Sequence, residues 1–472
     1  MTIRKRLLSQ PLYSILFLGL ILRLVSINQG LWLDEATSAI LARDFSFFDI
    51  LTKFSPGDFH PPLYYLILKL WSFVFGTSEL GLRSLSIFTG VASIFVLYLI
   101  VKELFNRRAA LVSSLLLATS GLHIYFSQEA RMYVLASFFV LLSIYFFVKM
   151  VKGGRAGNWI CFSIFIALSG MTHYLTLLML PVFWIYAILQ KNKFICFKKL
   201  FTSHIILFVF GLLWLPTFVR QLSVGLQVKE LSPVWWLTLG KTNFKEALLV
   251  PVKFMIGRVS WDNKYLYGFI VFLLFSFFGL LIYDGIKRWR KNHSLKIILL
   301  WLAVPYSTAL ILGFWFSIFG YFRLLFILPA FYVLVALGVD SLKKNIFKIV
   351  LGLTLIINLF LSGYYLINPK FHRENWRELV DYISQSNNLD KSMVIFVTYG
   401  QREAFRYYDP AGKIKVNGPA LIYDGYDIIW LMRYAQPIFD PNDSVRKDIE
   451  KLGYLKIGEH NYNGVSVWKY IK

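Results

Sequence analysis

The sequence predicts a polytopic α-helical membrane protein, with about eleven transmembrane helices followed by a small α/β domain. Three observations carry this reading. Of 472 residues, 57% are apolar and 16% charged, against about 45–50% and about 25% in soluble domains; a soluble fold cannot hide so much apolar surface. The apolar residues gather into eleven separate runs. Residues 368–472 then switch to an ordinary composition, with 15 Lys/Arg against 13 Asp/Glu. The same composition excludes disorder, a collagen-like repeat and a disulfide scaffold. Of the two cysteines, Cys161 lies in an apolar stretch and Cys196 in a lysine-rich one, so no bridge between them is expected.

The first run, 11–27, follows a basic stretch, as a signal peptide would. No small-x-small cleavage site follows and further runs do, so it reads as an uncleaved first helix with Pro11 near its start. The others are 84–101, 109–125, 132–148, 158–171, 173–189, 201–219, 265–283, 297–313, 321–339 and 347–366. Most match the roughly 17–25 residues that cross a bilayer. The run 158–171 is short and reads as re-entering a protein-packed region.

Residues 61–76 (PPLYYLILKLWSFVFG) decide the topology. If they cross the membrane, the basic loop around Lys102, Arg107 and Arg108 moves outside and later loops invert. If they lie along the interface, six basic loops fall on the cytoplasmic side: 1–10, 102–108, 149–155, 190–199, 284–296 and 340–348. These hold 21 Lys/Arg and three acids (Glu103, Asp284, Asp340), so they carry +18 of the net +24. The positive-inside rule favours the interfacial reading, with the N-terminus cytoplasmic and the C-terminus outside. The charge is thus a topology signal, and no nucleic-acid partner is expected. The expected organisation is a membrane domain, 1–367, in the plasma membrane and an extracytoplasmic α/β domain, 368–472. Within the former, 28–83 is a first outer loop with juxtamembrane helices and 220–264 a second large outer loop.

In the tail, the spacing predicts a helix over 374–386, a buried strand over 391–400, a short helix over 401–408 and a strand at KIKVNG. A helix over 443–452 and a closing hairpin, YLKIGEHNYNGVSVWKYI, follow. One Gly after the first strand is too little for a nucleotide-binding turn. A rigid cap or acceptor-recognition module is the default reading.

Candidate chemistry gathers near the outer membrane face. Asp34 and Glu35 lie in GLWLDEATSAILAR; adjacent carboxylates repel, so burying both requires a cation, a donor or a shared proton. The bland alternative is that Asp34 caps the helix starting near Glu35. His60 is pinned ahead of Pro61 and Pro62, placed for a phosphate, a metal or one local hydrogen bond. Glu129 and Arg131 lie in the turn QEAR, where charge is costly and is paired or functional; His173 lies at the same level. Asp34, His60, Glu129 and His173 suit a divalent ion, yet no short ligand spacing marks one, so a metal is optional. Arg220, Arg258 and Arg323 are further outer cations suited to a phosphate, or snorkelling side chains.

These stretches resemble the GT-C glycosyltransferases, specifically the protein O-mannosyltransferase-like and lipid A aminoarabinose transferase-like group (glycosyltransferase family 39 and relatives). The resemblance rests on WLDEA at 32–36, HPPLYYLILKLW at 60–71, ELGLRSLS at 79–86, LFNRRAALVSSLLLA at 104–118 and YFSQEARMYVL at 125–135. YFRLLFILPAFYVLVALG at 321–338 and NWRELVDYI at 375–383 extend it more thinly. It implies a GT-C fold, a large first outer loop with juxtamembrane helices, and a polyprenyl-phosphate sugar donor used on the outer face. The family's acidic residue after the first helix falls on Asp34, with Glu35 beside it, and its second acidic site falls on Glu129, here in QEAR rather than an Asp motif. The aminoarabinose transferases place a Lys before a Pro-Pro pair to touch the lipid phosphate; His60 occupies that place here. Nothing resembles the β-trefoil module of eukaryotic members.

The expected function is glycosyl transfer from a polyprenyl-phosphate donor to a hydroxyl of an envelope lipid, glycan or protein, with inversion. Asp34 is the base, Glu35 and Glu129 are further catalytic candidates, and His60, Arg131, His173, Arg220, Arg258 and Arg323 bind substrate. Membrane lipids are the surrounding partners. The rival readings are a flippase or transporter, which predicts inverted repeats and broken midplane helices, and a non-catalytic assembly protein.

Overall fold

The computed structural model describes residues 11–153, 157–190, 193–237, 242–386, 389–419 and 425–472. The basic stretch 1–10, Arg155 and Lys191 lie outside them. All eleven apolar runs are helical, and the chain is a multi-pass membrane protein. Among the described residues six helices are long and apolar enough to cross a membrane: Glu79–Leu104, Tyr133–Val151, Phe197–Gln227, Lys264–Trp289, Leu295–Gly313 and Lys344–Ile367. A seventh run, expected as one helix over 109–125, is instead a bent pair, Arg107–Ala118 and Gly121–Ser127, turning through 60°. The other four form shorter helices, Pro11–Leu24, Gly157–Thr172, Tyr174–Ile188 and Leu325–Asp340. At 1.5 Å per residue such lengths rise about 21–24 Å, short of the ~30 Å hydrocarbon core.

The segment that decided the topology forms Leu63–Phe75, 13 residues, or about 20 Å of helix. It buries Tyr64, Tyr65, Leu68 and Lys69 and exposes Leu70, Phe73 and Val74, the two-sided character of a helix lying along an interface. Lys69 is accommodated because its ammonium donates to the Ala42 carbonyl at 3.1 Å and sits over the rings of Phe47 and Phe73.

The bend at Thr119–Ser120 frees backbone carbonyls that lipid cannot satisfy. Side chains from two other helices replace the missing partners. Arg23 of the first helix, fully buried, donates to the Ala118 carbonyl at 3.2 Å and to its own Gly19 carbonyl at 2.7 Å. It also donates to Ser127 at 3.1 Å and meets His123 Nδ1 at 2.7 Å. Asn358 donates to the Leu116 carbonyl and Ser362 to the Thr119 carbonyl. Gly90 lets helix Glu79–Leu104 come up against this short arm, since a Cβ there would collide with Ser127. The bend delivers the turn 128–131 to the end of the bundle where helix Leu33–Asp44 lies. Gln128 fixes it there by donating to the Arg23 and Val25 carbonyls and accepting from Tyr365.

Among the described residues all the strands lie in the tail, in one sheet ordered β2-β1-β3-β5-β4. These are β1 (Ser392–Phe396), β2 (Lys415–Asn417), β3 (Ile428–Met432), β4 (Leu455–Tyr462) and β5 (Val465–Ile471). β1 pairs in parallel with β2 and β3, and β5 runs antiparallel to β3 and β4. The expected helices occur as Trp376–Ser384, Glu403–Tyr408 and Ser444–Lys451. β3, the centre of the sheet, has no counterpart in the sequence reading. It is covered on both faces, with Ile429 and Leu431 in one core and Trp430 and Met432 in the other. Its five apolar residues therefore lack the alternation that marks a half-exposed strand. Helix Glu403–Tyr408 ties the tail to residues 28–83: Tyr408 accepts from the Leu31 amide at 2.7 Å and donates to Glu79 at 2.9 Å, and Arg377 pairs with Glu79.

Candidate active site

Helix Leu33–Asp44 follows the first span directly and puts two adjacent carboxylates in its first turn. Successive residues of an α-helix point about 100° apart, so one faces the protein and the other faces out. Glu35 is fully buried. Arg83, at the start of helix Glu79–Leu104, grips it in a fork, Nε to Oε1 at 2.8 Å and Nη2 to Oε2 at 2.6 Å. The remaining Arg83 donors go to the carbonyls of Ile27, Gln29 and Gly30. The loop after the first span is thereby folded around one guanidinium. Glu35 also accepts from the Ala130 amide at 2.7 Å and lies 3.1 Å from Arg373 of the tail. Burial alone would raise its pKa, but Arg83 and Arg373 together hold it below the ordinary carboxylate value. Arg83 and the Ala130 amide bond to its oxygens and Arg373 stands close by, which gives this carboxylate a structural part.

Asp34 faces the other way. Its side chain is 40% exposed, and its nearest cation is Arg131, 3.4 Å from Oδ2. It does not cap the helix: the residue preceding the first turn is Trp32, and no side chain caps that end. Arg131 is buried and its Nε has no hydrogen-bond partner; Asp34 and neighbouring phenols keep its pKa above the ordinary value despite burial. Glu129 is also buried. Trp32 donates to its Oε1 at 3.0 Å, and Oε2 has no hydrogen bond, lying 3.7 Å from Arg373. Burial raises the Glu129 pKa to about 7, against the pull of Arg373 and with the push of Glu35.

The other predicted residues ring this centre unevenly. His60 and His173 face each other with ring centroids 5.9 Å apart, and His173 stands at the same distance from Tyr133. His60 approaches Asp58 at 3.5 Å, and its carbonyl is held by Gln221 at 3.0 Å. Arg258 and Arg373 both lie over the Tyr125 ring, at 4.7 and 4.6 Å, and Arg258 donates to Tyr321. Arg323 donates to the Ser317 carbonyl and lies within electrostatic reach of Asp34 and Arg131. Arg220 is not part of the cluster: it is exposed on helix Lys193–Leu231. Its neighbour Gln221 makes the contacts instead, to Ser55, His60 and Tyr174.

Among the described residues no three His, Cys, Asp or Glu side chains come close enough to share an ion. Asp34, His60, Glu129 and His173 divide between Arg131, Asp58, Arg373 and an aromatic neighbour. The structure also adds residues that the sequence reading passed over. Arg83 lay inside the quoted stretch ELGLRSLS, and its signal was a cation set in an apolar helix. Arg373 gave no local signal, since it reaches Glu35 and Glu129 from the tail, far away in sequence. With Arg131, Arg258 and Arg323, these guanidiniums outnumber the carboxylates Asp34, Glu35, Asp58 and Glu129. The unpartnered donor of Arg131 and a free Nη1 of Arg373 leave buried hydrogen-bonding capacity that an anionic ligand would complete.

The bundle of full-length, broken and short helices, with a charged cluster at one end and a terminal α/β domain, has the fold of the GT-C glycosyltransferases. ArnT from Cupriavidus metallidurans in the apo state superposes with a TM-score of 0.62 at 12% identity, covering 97% of both chains. The same protein bound to undecaprenyl phosphate gives 0.58 over the same coverage. The Archaeoglobus fulgidus oligosaccharyltransferase in complex with Zn and sulfate gives 0.57 at 13% identity, over 97% of this chain and 73% of that one. Residues 59–215 match the family model described as dolichyl-phosphate-mannose-protein mannosyltransferase. An uncharacterised protein of Aquifex aeolicus (strain VF5) is 25% identical over 349 residues, 70% of this chain; the match spans 62% of that relative's length. The resemblance carried by the sequence motifs is the one these comparisons find.

Two outcomes follow from the geometry. Glu35→Gln leaves Arg83 buried without its counter-charge, and Arg83→Gln strands Glu35. Each loses about 3–5 kcal/mol of stability, and the double variant loses less than the sum; thermal unfolding in detergent reads this, and losses that simply add would contradict it. Glu129, with its pKa raised from 4.5 to about 7, binds a proton in the folded state that the unfolded chain has released. Its contribution to stability is full below pH 4.5 and is lost as the pH rises through 7. E129Q therefore unfolds with wild type in acid and at higher temperature than wild type above pH 7; parallel curves across that window would refute the assignment.

Proposed function

We propose that this chain transfers a glycosyl group from a polyprenyl-phosphate donor to a hydroxyl of an envelope acceptor, on the extracytoplasmic face and with inversion. One observation carries the reading. Of the carboxylates Asp34, Glu35 and Glu129, Asp34 alone is both exposed and set beside a cation with donor capacity to spare. ArnT, which has the same fold, binds undecaprenyl phosphate, and that supports a lipid-phosphate donor here.

The chemistry follows from the groups at hand. A phosphate leaving group needs little protonation but needs positive charge beside it as the bond to the sugar breaks. Arg131, Arg258 and Arg323 supply that charge, with His60 a further contact at the pinned Pro-Pro turn. Asp34 takes the proton of the acceptor hydroxyl while its oxygen attacks the anomeric carbon from the face opposite the phosphate. The sugar–phosphate bond breaks as the new glycosidic bond forms, and the proton ends on Asp34. One free carboxylate provides a base but no second group to act as nucleophile, which is the inverting arrangement. Glu129 and Arg131 shape the pocket wall, and Glu35 holds the helix that presents Asp34.

The test is turnover of purified full-length protein with a panel of polyprenyl-phosphate sugars and envelope acceptors, with NMR of the product. The expected product has the anomeric configuration opposite to that of the donor. Retained configuration, or turnover only with nucleotide sugars, would overturn the reading.

A further inference from the structure

We propose that the end of the bundle opposite the charged cluster binds an anionic phospholipid by its phosphodiester headgroup. Helix Glu79–Leu104 carries Arg83 at one end, and from there to Leu104 is about 31 Å of rise, one hydrocarbon thickness. At that far end a cavity of about 380 Å³ is lined by Arg108, Arg288, Trp289, Asp340 and Lys343 among others. These residues come from three of the six basic loops. Setting topology needs only net charge in those loops; it does not need a formed hollow.

The charges in the hollow do not cancel. Asp340, its one acid, is buried and already taken: Arg108 donates to its carboxylate and carbonyl, and Asn106 donates at 2.9 Å. That bracket fixes the wall. Arg288 and Lys343 are exposed and have no carboxylate partner among the described residues. Helix Lys344–Ile367 starts on the rim with no side-chain cap and no acid in its first turn, so its free backbone N–H groups and dipole add positive character.

The surroundings favour a lipid over a free anion. Trp289 packs edge-on against Phe105 with centroids 5.3 Å apart, and Arg108 lies over Phe347 at 4.8 Å, an aromatic level like that found at headgroups. Below the rim, the same helices expose Ile346 and Ile349 on one side and Leu280 and Tyr283 on the other, surface for acyl chains.

The experiment titrates delipidated full-length protein with phosphatidylglycerol and, separately, phosphatidylcholine in micelles, and counts bound lipid by native mass spectrometry. Wild type retains phosphatidylglycerol at least tenfold more tightly than phosphatidylcholine. R288Q/K343Q loses that preference, about fivefold for each cation removed. K102Q/K348Q, which takes two cations from the same loops outside the cavity, keeps it, and excess inorganic phosphate does not displace the lipid. Equal retention of the two lipids, an unchanged R288Q/K343Q, an equal loss in K102Q/K348Q, or displacement by inorganic phosphate would each overturn the proposal.

Discussion

The charged end of this protein is organised around the buried pair of Glu35 and Arg83. Removing two charges from water costs several kcal/mol per ion, and the attraction between them repays this only when geometry is good and every remaining donor is used. Arg83 meets that condition by spending its other N–H groups on the carbonyls of residues 27, 29 and 30. Glu35 meets it by taking the Ala130 amide and the approach of Arg373. One interaction thus joins the loop after the first span, the helix presenting Asp34, the turn carrying Glu129 and Arg131, and the tail. Gly30 shows how tightly the tail is drawn in, since a Cβ there would stand 3.2 Å from the Glu374 carbonyl.

This constraint separates two neighbouring carboxylates into different tasks. Glu35 is spent on structure, and the helix turn that buries it necessarily swings Asp34 outward. The bent span works toward the same end from the membrane side. Arg23, Asn358 and Ser362 satisfy the carbonyls freed at Thr119–Ser120, so the backbone can turn within the bundle and place residues 128–131 beside the first outer loop. Polar side chains buried among apolar helices are expensive unless they do such work. Their positions mark where the bundle departs from straight spans.

Much of the fold was legible because its signals are local. Apolar runs located all eleven helical segments, and the tail's alternation and turn residues located four of five strands. What escaped depends on distant partners. The bend in 109–125 is specified by Arg23, Asn358 and Ser362, which lie far from it in sequence. β3 is covered on both faces and so shows no period. At the site, the sequence brought Asp34, Glu129, Arg131, His60 and His173 to one level because each was a polar residue at the outer end of an apolar run. It did not distinguish Asp34 from Glu35, since the difference lies in which side of a helix meets Arg83. Arg373 was invisible, since only the docked tail brings it to Glu35 and Glu129. Arg220 was drawn in by position alone, and it stands on an exposed helix face.

The central claim is that Asp34 does chemistry while its neighbour holds the fold. It is tested most directly by comparing D34N with wild type in donor binding and turnover, measured on the same folded preparation. D34N is expected to keep its melting temperature and near-normal retention of the polyprenyl-phosphate donor, with turnover reduced by about 10²-fold or more, the scale of a lost general base. Turnover close to wild type in folded D34N would contradict it.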